Sequence, residues 1–140
     1  MSTIERGHRI VPHTADIRVE AWGPSREACI AEAVLAMVAA FADTSAVHPD
    51  NAHECWLAQN SDEDLLVAVL DEVIYLVDTD QRVPVDVELE PSGDGVDVRF
   101  ATVDAAAAPQ VGATPKGVSF HGLRIGSLGG GLSCAVIVDV

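Results

Sequence analysis

The chain has 140 residues, the length of one ordinary domain, and its 49% hydrophobic and 21% charged content is enough to build a core, which excludes a disordered tail. Eight basic against 22 acidic residues give a formal net charge of -14. That balance argues against a grip on duplex phosphates, which needs several basic contacts, and against docking on an anionic membrane. It suits a basic partner or a bound cation, though a solvated acidic surface satisfies the same charge.

The three cysteines, Cys29, Cys55 and Cys134, are odd in number and form no Cys-x-x-Cys pair. They read as reduced, mostly buried thiols of a cytoplasmic protein rather than a disulfide framework or structural zinc site. The opening Met1-Ser2-Thr3-Ile4-Glu5-Arg6 has no apolar stretch of the signal-peptide kind. The apolar run from Ala28 to Ala42 is broken by Glu32 and is too short to span a bilayer.

In chain order, Ile17, Val19 and Ala21 alternate with Asp16, Arg18 and Glu20, which predicts an early strand. Pro24-Ser25 opens a helix with Ser25 as its cap, and Ile30, Ala33, Val34, Met37, Val38 and Phe41 form its apolar stripe. Ser61-Asp62-Glu63-Asp64 is a capping pattern with acids at the positive end of the helix dipole. Leu66, Val69, Leu70, Val73 and Val77 give that second helix its stripe. Val85, Val87 and Leu89, then Val96, Val98 and Phe100, alternate with charges on either side of the turn Pro91-Ser92-Gly93-Asp94-Gly95, which predicts an antiparallel hairpin. The Ala-rich segment from Asp104 to Pro115 reads as a mobile loop. Val118 and Phe120 mark a further strand, the glycines from 126 to 131 a hairpin turn, and Leu132 to Val140 a final strand. The sum is a single domain over residues 1–140 of α+β class: two layers, a mostly antiparallel sheet with two helices packed on one face.

No nucleophile elbow, phosphate-binding loop or dinucleotide fingerprint occurs. The spacing of His48, His53 and Cys55 matches no standard soft-metal site, and a loop leading to a strand edge accounts for them. Asp78-Thr79-Asp80 lacks the glycine and distal glutamate of a calcium loop and reads as a helix exit. Two places stand out. His13-Thr14-Ala15-Asp16 sets polar groups and a carboxylate before the first predicted strand, where a turn bonded to its own backbone would also account for them. Asp139 ends an apolar strand, and Val140 adds an α-carboxylate one residue on. If Asp16 comes alongside, three carboxylates converge and repel unless a cation neutralises them. Oxygen donors of this kind suit Ca2+ or Mg2+. Lys116 is the sole lysine, at the entry to the Val118–Phe120 strand, and is either a solvated charge or a specific contact.

Four blocks in order resemble the archease family: His13-Thr14-Ala15-Asp16-Ile17 with Ala21-Trp22-Gly23 and the Ser25-capped helix; the second helix from Glu63 to Leu76; Lys116-Gly117-Val118-Ser119-Phe120-His121; and Val138-Asp139-Val140. The third block has Gly117, Ser119 and Phe120 where the family favours Ala, Thr and Tyr, the loop before it is longer, and the residues before His13 lack the usual aromatic and acidic character.

The resemblance implies an accessory protein, not itself an enzyme, that promotes guanylylation of an RtcB-type RNA ligase by GTP in tRNA splicing or RNA repair. It also implies a divalent cation, Ca2+ or another hard ion such as Mg2+, held by Asp16, Asp139 and Val140. Lys116, with His13 and His121, is then expected on the partner-facing side. The alternatives are a metal-dependent phosphohydrolase using Asp16, Asp139 and His13 or His121, a module in which the cation only stabilises the fold, and a chaperone-like modulator of a tRNA methyltransferase.

Overall fold

A computed structural model describes residues 3–12, 16–58 and 60–140. Among them the chain runs β1 (Gly7–Pro12), β2 (Asp16–Gly23), α1 (Arg26–Ala39), β3 (Asn51–Ala58), α2 (Asp62–Asp78), β4 (Arg82–Ser92), β5 (Gly95–Asp104), β6 (Gly117–Leu128) and β7 (Gly131–Asp139). The class is α+β as expected, and the strands divide between two antiparallel sheets. One has the order β1-β2-β7-β6 and the other β3-β5-β4.

Both helices begin where a serine side chain replaces the missing helical acceptor. Ser25 Oγ accepts the Ala28 N–H at 3.1 Å, and Ser61 Oγ accepts that of Asp64 at 3.0 Å. The predicted stripe of α1 is buried, but so are Cys29, Ala31 and Ala36 beside it. The reason is position: α1 packs against β1, β2 and β7 of one sheet and β4 of the other, so it has almost no solvent face. α2 likewise touches β6 on one side and β3 and β4 on the other. A single apolar cluster joins both helices to both sheets, with Val19, Ile30, Met37, Leu66, Leu70, Phe100 and Val136 among its buried members.

Glu32, the charge that interrupts the apolar run, is only 7% exposed. Its carboxylate pairs with the Arg6 guanidinium and lies 2.9 Å from His8 Nδ1, so the N-terminal segment supplies the counter-charge that burial requires. This contact also explains β1, whose Gly-His-Arg-rich sequence carries no alternating pattern. β1 is held as an edge strand by pairing with β2 and by this clamp to α1.

The β4–β5 hairpin turns more tightly than its five-residue signal suggests. Ser92 pairs with Gly95, and Gly93 takes φ +59°, the left-handed value that glycine adopts without strain. The segment after β5, expected to be mobile, is fastened to the end of α1. Asp43 N–H donates to the Pro109 carbonyl at 2.9 Å and Val111 N–H to that of Phe41 at 2.8 Å, and Ala108 is buried. β6 runs well past Phe120 to Leu128, with an irregular register between Ser119 and Arg124 where Gly122 has φ +73°. Gly126, expected in the turn, is a strand residue; the turn is Gly129–Gly130.

β7 enters the sheet against the end of β2 with no room for a side chain: a Cβ on Gly131 would lie 2.1 Å from the Gly23 carbonyl oxygen. Gly126, on the neighbouring strand, has open space around it. Gly131→Ala should therefore destabilise the fold by about 1–3 kcal/mol through forced backbone movement, while Gly126→Ala stays within about 0.5 kcal/mol. Urea midpoints for the two variants measure the difference, and equal midpoints would contradict this packing.

A candidate metal centre at the end of the four-stranded sheet

The position of the carboxylates follows from strand pairing. β2 and β7 run antiparallel with Asp16 opposite Asp139, Val19 opposite Val136 and Gly23 opposite Leu132. The register is fixed by burial: Val19, Ala21, Cys134, Val136 and Val138 all enter the core. Alternation then places Asp16, Arg18 and Glu20 on the other face, where Arg18 Nε bonds Glu20 at 3.1 Å. Directly opposite residues share a face with Cβ atoms roughly 5 Å apart, so the carboxylates of Asp16 and Asp139 come together at the end of the sheet. Asp139 is exposed and Asp16 half-buried.

On its other side Asp139 pairs with Gly117 of β6. Gly117 contributes no side chain, and a Cβ there would lie 4.0 Å from Asp139 Oδ2, an ordinary contact. The Lys116 N–H donates to the Asp139 carbonyl at 2.7 Å, tying the exposed Lys116 to the same corner. Val140 follows Asp139 and packs against the core. Four of the six residues singled out from sequence, Asp16, Asp139, Val140 and Lys116, thus gather around one sheet end. His121 does not join them as closely: it is exposed in the irregular stretch of β6, with its N–H on Ser119 Oγ at 3.1 Å. His13 lies outside the described residues.

The donor set is chemically coherent. Like charges directly opposite each other in a sheet are unfavourable, and a hard divalent cation bound through oxygen relieves that repulsion.

A second cluster was not legible as such in the sequence. His53 and Cys55, two apart on β3, point inward and meet Glu72 of α2. His53 Nε2 lies 3.1 Å from Glu72 Oε2. Burial, and then the neighbouring Glu72 charge and its hydrogen bond, push the Cys55 thiol up to about 12. His48, considered with them from sequence, is an exposed loop residue. The His-x-Cys step was a usable signal for a shared face. The missing third member is contributed by a helix, and linear spacing does not show it.

The other two thiols, Cys29 and Cys134, are free and buried. Cys29 Sγ donates to the Ala21 carbonyl at 3.6 Å. The Cys134 thiol is held well above the ordinary range by its hydrogen bond with Cys29 and by burial.

Comparison with known proteins settles the family. The model of the archease protein family (MTH1598/TM1083) matches residues 8–140. The chain belongs to the archease family. A Mycobacterium tuberculosis protein, "Probable protein archease", is 52% identical over 134 residues, covering 96% of this chain and 75% of that protein. Protein archease of Archaeoglobus fulgidus is 31% identical over 135 residues, covering 95% and 98%. The fold recurs in the solution structure of Methanobacterium thermoautotrophicum protein 1598, with a TM-score of 0.76, 24% identity and coverage of 96% and 99%. It recurs also in the crystal structure of an archease, "possible chaperone", from Thermotoga maritima, with a TM-score of 0.68, 20% identity and full coverage of both chains. In this α+β archease fold β2, which begins at Asp16, lies beside β7, which ends at Asp139.

Gly117, which departs from the alanine favoured at the matching place in the archease motif, has room for that methyl group. Gly117→Ala should leave stability within about 0.5 kcal/mol of the parent, measured by thermal melting without added metal. A large loss would mean that the Asp139 side chain lies closer to β6 than described.

Proposed function

We propose that this archease is a non-catalytic accessory factor of an RtcB-type RNA ligase, and that it promotes GTP-dependent guanylylation of the ligase through the sheet end bearing Asp16, Asp139 and Lys116. Family membership supports the accessory role. The observation that carries the site is the Asp16–Asp139 register, which sets two carboxylates from opposite ends of the matched region on one face of the sheet. The acidic chain is poorly suited to gripping RNA itself, which fits action on a protein partner in the cytoplasm.

In this reading Asp16, Asp139 and the α-carboxylate of Val140 hold a hard divalent cation, Ca2+ before Mg2+, because a flexible set of carboxylates meets calcium's looser geometry. Bound there, the ion supplies charge neutralisation and fixes the strand end. The protein's own residues do the rest. The Asp139 carbonyl holds the Lys116 backbone, and the ammonium group of Lys116 reaches outward to the ligase or to a phosphate of its bound nucleotide. Gly117 keeps the approach to Asp139 clear of side chains.

Two measurements test this reading. With Ca2+ at a hundredfold excess over its dissociation constant, mass action adds about 2.7 kcal/mol to the folded state, a rise in melting temperature of roughly 10 °C for a chain of this size. Asp139→Ala should abolish the rise, and extending the chain beyond Val140, which converts its α-carboxylate to an amide, should reduce it. An unchanged calcium response in Asp139→Ala removes the proposed ligands.

In the second measurement, purified ligase is incubated with GTP and RNA with broken ends. Adding this protein should speed guanylylation and permit repeated turnover, and Asp139→Ala and Lys116→Ala should each lose most of that effect. The protein alone should release no product from GTP. Full stimulation by both variants would overturn the assignment, and metal-dependent turnover by the protein alone would favour a hydrolase.

A further inference from the structure

The structure holds a second constellation that the proposed function does not use. β3 is an edge strand, and its residues alternate so that Glu54 and Trp56 face outward while His53 and Cys55 face α2. Glu72 lies on the facing side of that helix. One nitrogen, one sulfur and one oxygen donor, one from each residue, all lie within 4.8 Å of one another. We propose that His53, Cys55 and Glu72 form a three-donor site for a borderline-soft divalent cation of the Zn2+ type, with the fourth position open to water or to a donor from a partner.

The chemistry selects the ion. Imidazole nitrogen and thiolate sulfur favour zinc, cobalt or nickel over calcium and magnesium, which prefer oxygen alone. Tetrahedral zinc with bonds of about 2.0–2.3 Å sets its donors roughly 3.3–3.7 Å apart. The His53–Glu72 separation of 3.1 Å is already close to that spacing. Since every donor pair lies within 4.8 Å, the remaining contraction is at most about 1 Å relative to tetrahedral zinc spacing.

The imidazole is oriented by the Phe100 ring, tilted against it with centroids 6.2 Å apart. Access is open at the sheet edge: the side chains of His53 and Glu72 keep 32% and 23% of their exposure. The site is shielded on one side by the core and reachable from the other, and its donors come from a strand and a helix that are rigid in themselves. Three protein ligands with an open position is the arrangement of exchangeable or reactive zinc rather than of a closed structural site. Without a metal, Glu72 meets both the His53 ring and the Cys55 thiol, so the three donors are already gathered around one carboxylate.

Cobalt is the probe, because a cobalt–thiolate bond has its own near-ultraviolet charge-transfer absorption. The full-length reduced protein, stripped with chelator, is titrated with Co2+. One equivalent should produce the charge-transfer band together with the visible bands of tetrahedral cobalt, and added Zn2+ should displace them while excess Ca2+ does not. Cys55→Ser should abolish the charge-transfer band. His53→Ala and Glu72→Gln should each weaken cobalt binding by at least about tenfold, since even outer-shell partners of bound metals contribute about that much. Asp139→Ala should leave the cobalt titration unchanged, so failure of this site and failure of the calcium reading are separately visible. Absence of the band in the parent protein, or its survival in Cys55→Ser, overturns the proposal. Circular dichroism checks that each variant folds. Should Cys55→Ser not fold, Glu72→Gln decides, and unchanged affinity in that variant also overturns the site.

Discussion

The antiparallel pairing of β2 with β7 is the constraint on which both the core and the candidate site depend. Its register runs from Asp16–Asp139 to Gly23–Leu132. Side chains alternate between faces, so a slip of one residue would carry Val136 and Val138 out of the core and turn Asp139 inward. The apolar residues therefore hold the two aspartates opposite each other. The acidic pair adds nothing favourable to the sheet by itself, since opposed like charges weaken a cross-strand pair. The register nonetheless sets two oxygen donors on one face at the end of a well-packed strand, and this is the physical basis for reading the place as a candidate site.

The second organising feature is that α1 serves both sheets. A helix with one covered face needs one stripe, whereas α1 is buried on almost every side and is built largely from alanine and other compact residues that allow close approach. Its one buried charge, Glu32, is tolerated because Arg6 and His8 meet it from the N-terminal segment. That clamp fastens β1 to the helix, and β1 covers the outer edge of β2. β1 is thus secured twice, by backbone pairing with β2 and by a buried carboxylate.

Sequence patterning was most informative where one physical cause acts alone. Ser25 and Ser61 mark their helix starts because a cap is a local interaction. The β4–β5 hairpin is visible because a glycine turn sits between two runs with one buried face. β1 was not legible, since it is held by Glu32, which lies a helix away in the chain. The Ala-rich segment after β5 looked mobile from composition, but its order comes from backbone bonds to Phe41 and Asp43, which no side-chain pattern announces. The division into two sheets was hidden for the same reason: strand periodicity reports a buried face, not which sheet lies behind it. At the candidate centre, Asp16 and Asp139 were recognisable as oddities of their own strands, while their meeting depended on a register between distant segments. Glu72 was invisible because its partners lie on another element.

The strand order β1-β2-β7-β6 carries a consequence for how the molecule is assembled. β7 lies between two strands that are synthesised before it, and its partner residues on β2 lie more than a hundred positions upstream. During translation β2 and β6 therefore emerge with unfilled edges, and α1 lacks the cover of Val136 and Val138. Closing so long a loop delays the gain from burial, and open strand edges invite pairing with other chains in the interval. The four-stranded sheet thus closes only after the nascent chain has delivered β7, and the same late step brings the two aspartates together.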